Sequence, residues 1–237
     1  MQYQLYTDAA RTTIWGSRAT STPLMIQVDI PPGLLFSTTV TGTVPFYAQL
    51  PAGQTTAITG GYSSTLTANV TGSFTTNRNT PIATCTGGTS TLNTGSASFT
   101  AFATMDKACL VTASNIDLGP VSSTAINITS SGTLGVSCSN GTPYFIGLAP
   151  SGGSTTGAGT MHGTLAGNTD HVPYQLSSTP GPGGTPWGNT ATSTSVGNGM
   201  NGTGTGLSQS MTVHAIAPSA NFRPDSYSDT VTVNVNY

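Results

Sequence analysis

Tyr3-Gln4-Leu5 opens a block that closes on Trp15-Gly16, and about 170 residues later Tyr174-Gln175-Leu176 opens a block that closes on Trp187-Gly188. These are the chain's two tryptophans. The first Trp-Gly is followed by VPFYAQLP (44–51) and GYSSTLTANVT (61–71), the second by MTVHAIAP (211–218) and SYSDTVTVNVN (226–236). Order and approximate spacing agree across four blocks, so the chain is a tandem duplication, and both copies must approach one fold. The copies are unequal. The second carries ACLVTASNIDLGPV (108–121), TLGVSCSNGTPYFIGLAP (133–150) and GTMHGTLAG (159–167) ahead of Tyr174, whereas the first has no counterpart ahead of Met1. The expectation is a first copy without its front half, truncated where the second has Val172 or Pro173, with a secretory signal lost alongside.

What the copies can fold into follows from the side chains available. Charged residues make up 5% of the chain and Glu is absent, against roughly 25% charge in ordinary soluble domains. Strong helix formers are therefore scarce, while abundant Thr, Ser, Val and Gly favour strands joined by tight turns. Near-neutral hydropathy with recurrent apolar alternation argues against disorder. In YSDTVTVNVNY (227–237), Val231, Val233 and Val235 face one way and Thr232, Asn234 and Asn236 the other. SFTAFATM (98–105), ACLVTAS (108–114), TAINITS (124–130), TLGVSCS (133–139), PYFIGLA (143–149), VPYQL (172–176) and QSMTVHAIA (209–217) complete seven or eight predicted strands. Such spacing suits an immunoglobulin-like sandwich. Trp15 and Trp187 are expected to pack at a sheet edge near their turns.

Several chemistries are disfavoured. The basic residues Arg11, Arg18, Arg78, Lys107 and Arg223 are scattered, so no patch exists to neutralise nucleic-acid phosphates. No apolar run is long enough for a membrane helix, and no Cys/His spacing makes a zinc site. There is no GxSxG elbow and no Glu to act as acid or base; Asp225 and Asp229 read as turn chemistry. GTGTG (202–206) leads into no helix-forming sequence, as a phosphate loop requires. No catalytic, cofactor or metal residue is expected. Pairing Cys109 with Cys138 would close a loop of about 30 residues and contribute about 3–4 kcal/mol under oxidising conditions; Cys85 is then left over.

Four stretches together resemble the spore coat protein U family, whose domains form subunits and tip adhesins of archaic, Csu-type chaperone–usher pili. They are CLVTASNIDLG from Cys109, VSCSNGTPY from Val136, YQL…WG from Tyr174 and the terminal SYSDTVTVNVNY. The likeness covers nearly all of 97–237 and, more weakly, 1–71. Two positions depart from the pattern: Ser226 replaces a Gly that is present as Gly61, and Thr160 precedes Met161 where the family has Arg. The resemblance implies an all-β chain of tandem sandwiches, the first incomplete at its N-terminal half and the second lacking its final strand. Residues 1–85 form part of the first domain, 86–96 a linker and 97–237 the second domain. It further implies a periplasmic chaperone, an outer-membrane usher and a donor strand from a neighbouring pilin, accepted along an edge marked by Val231, Val233, Val235 and Tyr237. The first copy continues into NTPIATC (79–85), which could supply its own last strand; the second stops at Tyr237, leaving an edge open.

Two-domain members resemble tip adhesins. After Trp15-Gly16 the first copy carries PLMI and PPGLLF, so Leu24, Met25, Ile26, Leu34, Leu35 and Phe36 are candidate loop tips for an abiotic or host surface, as in biofilm formation. The competing expectation for them is core strands. The rival function is a secreted carbohydrate-binding sandwich.

Overall fold

The structure, a computed structural model, describes residues 1–16, 23–24, 26, 41–72 and 93–237. Contacts divide the chain into two compact units, Met1–Gln54 with Gly61–Ala103, and Thr55–Gly60 with Thr104–Tyr237. The described residues are all-β. In and around the first unit run β1 (Gln4–Tyr6), β2 (Tyr47–Gln49), β3 (Gly60–Gly72) and β4 (Asn93–Met105). The second contains β5 (Cys109–Ala113), β6 (Ile126–Cys138), β7 (Pro143–Pro150), β8 (Ala158–Gly163) and β9 (His171–Ser177). It continues with β10 (Met200–Thr203), β11 (Ser208–Ser219), β12 (Tyr227–Ser228) and β13 (Val231–Asn236).

The second unit is an immunoglobulin-like sandwich. One sheet runs β12-β8-β9-β11-β6-β5, the other β10-β7-β13. Its core alternates along each strand as pleating demands: Leu134, Val136 and Cys138 from β6, Tyr144, Ile146 and Leu148 from β7, Tyr174 and Leu176 from β9, Val213 and Ala215 from β11. A disulfide joins Cys109 to Cys138, which face each other directly in the β5–β6 ladder with Cα atoms 4.1 Å apart.

Two local expectations change. TAINITS and TLGVSCS merge into the single strand β6, because Ser130-Ser131-Gly132 stays in register with Ala215, His214 and Val213 of β11. YSDTVTVNVNY is instead divided: β12 pairs with β8 in one sheet and β13 with β7 in the other, so the chain changes sheets at Asp229-Thr230. The stretch 98–105 forms the greater part of β4, which pairs with β3. Alternation alone suits it to either copy.

Strands β8 and β10 rest on close approaches that only glycine permits. A Cβ on Gly159 would lie 2.3 Å from the ring of Tyr174, its cross-strand partner. On Gly202 it would lie 2.4 Å from the ring of Tyr144, again its partner. Each tyrosine thus covers the glycine opposite, supplying the packing that the glycine lacks.

Trp187 does not sit at a sheet edge. It is the largest fully buried side chain, 1% exposed, and its indole Nε1–H donates to the Ile146 carbonyl at 2.9 Å. With that one polar group satisfied, the whole ring can enter the core.

The duplication is visible in the backbone. Leu5 faces Ala48 as Leu176 faces Ala215, and bridges Tyr6–Ile14 and Ser177–Pro186 occupy equivalent places. The Trp15 amide donates to the Leu5 carbonyl at 2.9 Å, as Trp187 does to Leu176 at 3.0 Å. The tryptophan environments differ. Trp15 is half-buried in an aromatic cluster, its ring 5.2 Å from that of Phe46 and 6.1 Å from that of Phe99. We predict that Trp187→Ala destabilises the second unit by about 3–5 kcal/mol, whereas Trp15→Ala costs less, as read from separate unfolding transitions in denaturant.

Candidate functional site

An antiparallel strand turns alternate N–H and C=O groups toward opposite neighbours. On β7, the Leu148 amide donates to the Gly188 carbonyl at 2.9 Å, outside the β7–β13 ladder. Leu148 faces Val233 of β13, so that pair is one that exchanges no main-chain bonds. Thr232, Asn234 and Asn236 therefore bond to β7, and Val231, Val233 and Val235 direct their main-chain groups to the other side. Among the described residues the sheet ends on that side: β13 is its last strand.

The same three valines point their side chains at the core, yet remain only half-buried. Ile146 and Leu148 on the adjacent strand are shut off from solvent. Val111 on β5, the last strand of the other sheet, and the following Ile116 are also incompletely covered. Among the described residues, a main-chain edge with no strand beside it thus coincides with an incompletely covered core.

The far face of β13 is held by the loop after Trp187-Gly188. Asn234 Nδ2 donates to Asn189 Oδ1 at 3.0 Å and Asn236 Nδ2 to the Ala191 carbonyl at 3.2 Å. Asp229 anchors the strand's start. It accepts from the Tyr174 hydroxyl at 2.6 Å, from the Ser151 hydroxyl, and from the Thr230 amide at 2.7 Å. Desolvation pushes the Asp229 carboxyl up, but these donors outweigh it and hold its pKa below the ordinary value. Burial, followed by the bond to Asp229 and its charge, pushes the Tyr174 hydroxyl up. In the first unit the Tyr3 hydroxyl donates to Ser64 Oγ at 3.0 Å, in the equivalent position of the repeat.

Asp225 fixes the preceding turn. Its carboxylate accepts from Asn168 Nδ2 at 2.7 Å, the Leu165 amide at 2.9 Å, the Thr164 hydroxyl at 3.0 Å and the Ser226 amide at 2.7 Å. Desolvation opposes ionisation, yet the four donors bring its pKa to about 2. Both aspartates are turn and strand anchors.

Of the residues singled out beforehand, Cys109 and Cys138 are joined, and Val231, Val233 and Val235 share one strand face. Tyr237 is exposed. Leu24 is half-buried and Ile26 is 52% exposed. Met25, Leu34, Leu35, Phe36, Cys85 and the stretch 79–85 lie outside the described residues. The Tyr174–Asp229 bond was not anticipated, although the alignment of Tyr174 with Tyr3 and of Asp229 with Ser64 contains the signal: both positions of the pair are polar in both copies. Among the described residues no group of three or more His, Cys, Asp or Glu could hold a metal, and no helix is long and apolar enough to cross a membrane.

The family model for the Spore Coat Protein U domain matches residues 1–69 and 95–234. The chain belongs to this family. The two SCPU matches fall on the two copies of the repeat. Among curated proteins none matches the sequence. Among solved structures, the SCPU chain is similar to one in a crystal structure of the CsuC–CsuE chaperone–tip adhesion subunit pre-assembly complex from archaic chaperone–usher Csu pili of Acinetobacter baumannii. The identity is 20% and the TM-score 0.47, over 82% of this chain and 65% of that one. The SCPU chain thus spans less than two thirds of that neighbour's length.

Asp225 and Asp229 make the second SCPU unit acid-sensitive. Their folded pKa values lie below the unfolded value of 3.8, so their contribution is complete above about pH 4 and is lost as pH falls toward 2. Replacing Asp225 with Asn is expected to lower stability at pH 7 and flatten the acid limb between pH 4 and 2, as measured by urea unfolding across that range.

Proposed function

We propose that this SCPU chain is a structural subunit of a cell-surface pilus of the chaperone–usher type, joined to its neighbour by a strand added along β13. The observation that carries this reading is that, among the described residues, an edge with no strand beside it coincides with half-covered valines. A donated strand would pair the outward groups of Val231, Val233 and Val235 and bury their side chains together with its own. At about 1.5–3 kcal/mol for each large apolar side chain buried, the gain is comparable to the 5–15 kcal/mol that stabilises a whole domain. Strand addition is a recurrent binding mode of open sheet edges.

Such an edge aggregates if left bare, which gives a periplasmic chaperone its role and an outer-membrane usher the task of exchanging it for the next subunit's strand. The SCPU family and the chaperone-bound structural neighbour support these partners. The role is structural rather than enzymatic. The two-copy architecture further suits a tip adhesin in which Leu24, Met25, Ile26, Leu34, Leu35 and Phe36 meet an abiotic or host surface and promote biofilm; the exposure of Ile26 agrees with this. The carbohydrate-binding alternative has less support. A cavity of ≈ 260 Å³ on the second unit is lined by Ser130, Ser131, Ser177 and His214, but Trp187 is buried and unavailable to stack on a sugar.

The test is periplasmic expression with and without an usher-pathway chaperone from the same genome. A soluble complex with the chaperone, and self-association without it, is expected. A monodisperse chain indifferent to the chaperone would overturn the reading. For the tip role, Leu34→Ser, Leu35→Ser and Phe36→Ser together are expected to leave the circular dichroism spectrum unchanged and lower attachment to polystyrene at least tenfold. Loss of folding would place these residues in the core instead.

A further inference from the structure

The outer face of the six-stranded sheet carries a histidine pair remote in role from the β13 edge. His162 of β8 and His171 of β9 stand directly opposite each other in the β8–β9 ladder. One step beyond that ladder the Leu176 amide donates to the Gly157 carbonyl at 2.9 Å, so Leu176, Tyr174 and Val172 are the residues of β9 that bond to β8. Pro173, which has no amide to give, and His171 fall on the alternate pairs that exchange no main-chain bonds. Those are the narrow pairs, with Cα atoms about 4.5 Å apart and side chains closest. The two imidazole rings accordingly lie with their centroids 4.4 Å apart, edge to face.

Both rings face solvent. The adjoining residues Met161 and Val172 pack toward the core, which turns the histidines outward, and both are exposed. Their neighbours on the same face are Thr160, Pro173 and, opposite His162 on β12, Ser228, all exposed and uncharged. Among the described residues neither ring has a hydrogen-bonding partner, so no existing bond has to break before a nitrogen takes a ligand. The separation of the two histidines in sequence matches no usual zinc spacing; the strand register alone brings them together.

We propose that His162 and His171 form a bidentate site for one divalent transition-metal ion of the zinc, nickel and copper class. Imidazole suits these metals, whereas calcium and magnesium select oxygen ligands. A zinc–nitrogen bond is about 2.0–2.1 Å long, so one ion shared by two rings needs their donor atoms roughly 3 Å apart. Rings with centroids 4.4 Å apart reach that separation by side-chain rotation, with the ladder holding both Cα atoms in place. Two protein ligands are fewer than the three of a catalytic zinc site or the four of a structural one. The ion's remaining positions are therefore open to water or to a donor group on another molecule. An ion held across two strands also ties β8 to β9, and by binding only the folded ladder it stabilises the second unit. The site is independent of the proposed strand-accepting edge.

The probe is Zn²⁺ alone, titrated into the tag-free full-length chain carrying Cys85→Ser, which removes a competing thiol. Nitrogen NMR of the imidazoles is expected to show one zinc-bound nitrogen in His162 and one in His171. His214, which lies opposite Ser177 and about 20 Å along β9 from His171, is expected to stay unchanged. By calorimetry, His162→Gln and His171→Gln are each expected to weaken binding at least tenfold, and His214→Gln to leave it as it was. Mg²⁺ at the same concentration is expected not to bind. A stoichiometry of one zinc per chain supports the site, as does one per two chains, the second copy's pair then filling the open positions. Absence of saturable binding, zinc coordination in one ring only, or full affinity in either single variant of the pair overturns the inference, because rings that merely touch would bind zinc separately. Equal urea midpoints of all variants without metal exclude a folding defect, and the nitrogen spectrum of the chain with both histidines decides the matter even if a variant unfolds.

Discussion

A main-chain amide buried without a partner costs more than a made hydrogen bond returns, and this asymmetry governs how sheets end. In the second unit, β13 has met the requirement on one side only among the described residues. Its even-numbered residues are bonded to β7, its odd-numbered ones present both donors and acceptors outward, and the valines that carry them are incompletely covered. The rest of the unit holds this strand in place. Trp187 is anchored to the Ile146 carbonyl of the neighbouring β7, Asn189 and Ala191 hold the outer face, and Tyr174 with Ser151 fixes Asp229 at the strand's start. An edge so constrained is preorganised, and a strand that adds to it does not have to order it first.

The duplication supplies an internal comparison. The tyrosine that holds Asp229 has a counterpart holding Ser64, and the hairpin register around Leu176 recurs around Leu5. Against that shared frame, the last strands have different neighbours. β3 lies beside β4, while among the described residues β13 is the final strand of its sheet. Replacement of Ser64 by Asp229 in the second copy exchanges a neutral contact for a charge-assisted one, which strengthens the anchor at the copy whose edge is open.

Much of this was legible from residue pattern. The block alignment anticipated the equivalent registers because a period of two leaves little freedom once one face must be buried. The alternation of Val231, Val233 and Val235 placed them on one face correctly. The depth of Trp187 was not legible, since it follows a Gly/Pro-rich loop whose path no periodicity describes. Strands β8 and β10 were missed because Gly159 and Gly202 have poor strand propensity, and the rings that compensate, Tyr174 and Tyr144, lie elsewhere in the chain. The partner of β4 was equally hidden: Phe99, Ala101 and Ala103 would suit an inward face in either copy, and the pairing with β3 is seen only in the structure.

The central claim concerns six neighbouring amides, and hydrogen exchange on the full-length chain, kept dilute enough to be monomeric by sedimentation, addresses it directly. The account predicts alternation along β13: slow exchange at Thr232, Asn234 and Asn236, whose amides bond to β7, and exchange near the unprotected rate at Val231, Val233 and Val235. Uniform protection of all six in the monomer would contradict it, because the edge would then already be closed by the chain's own backbone.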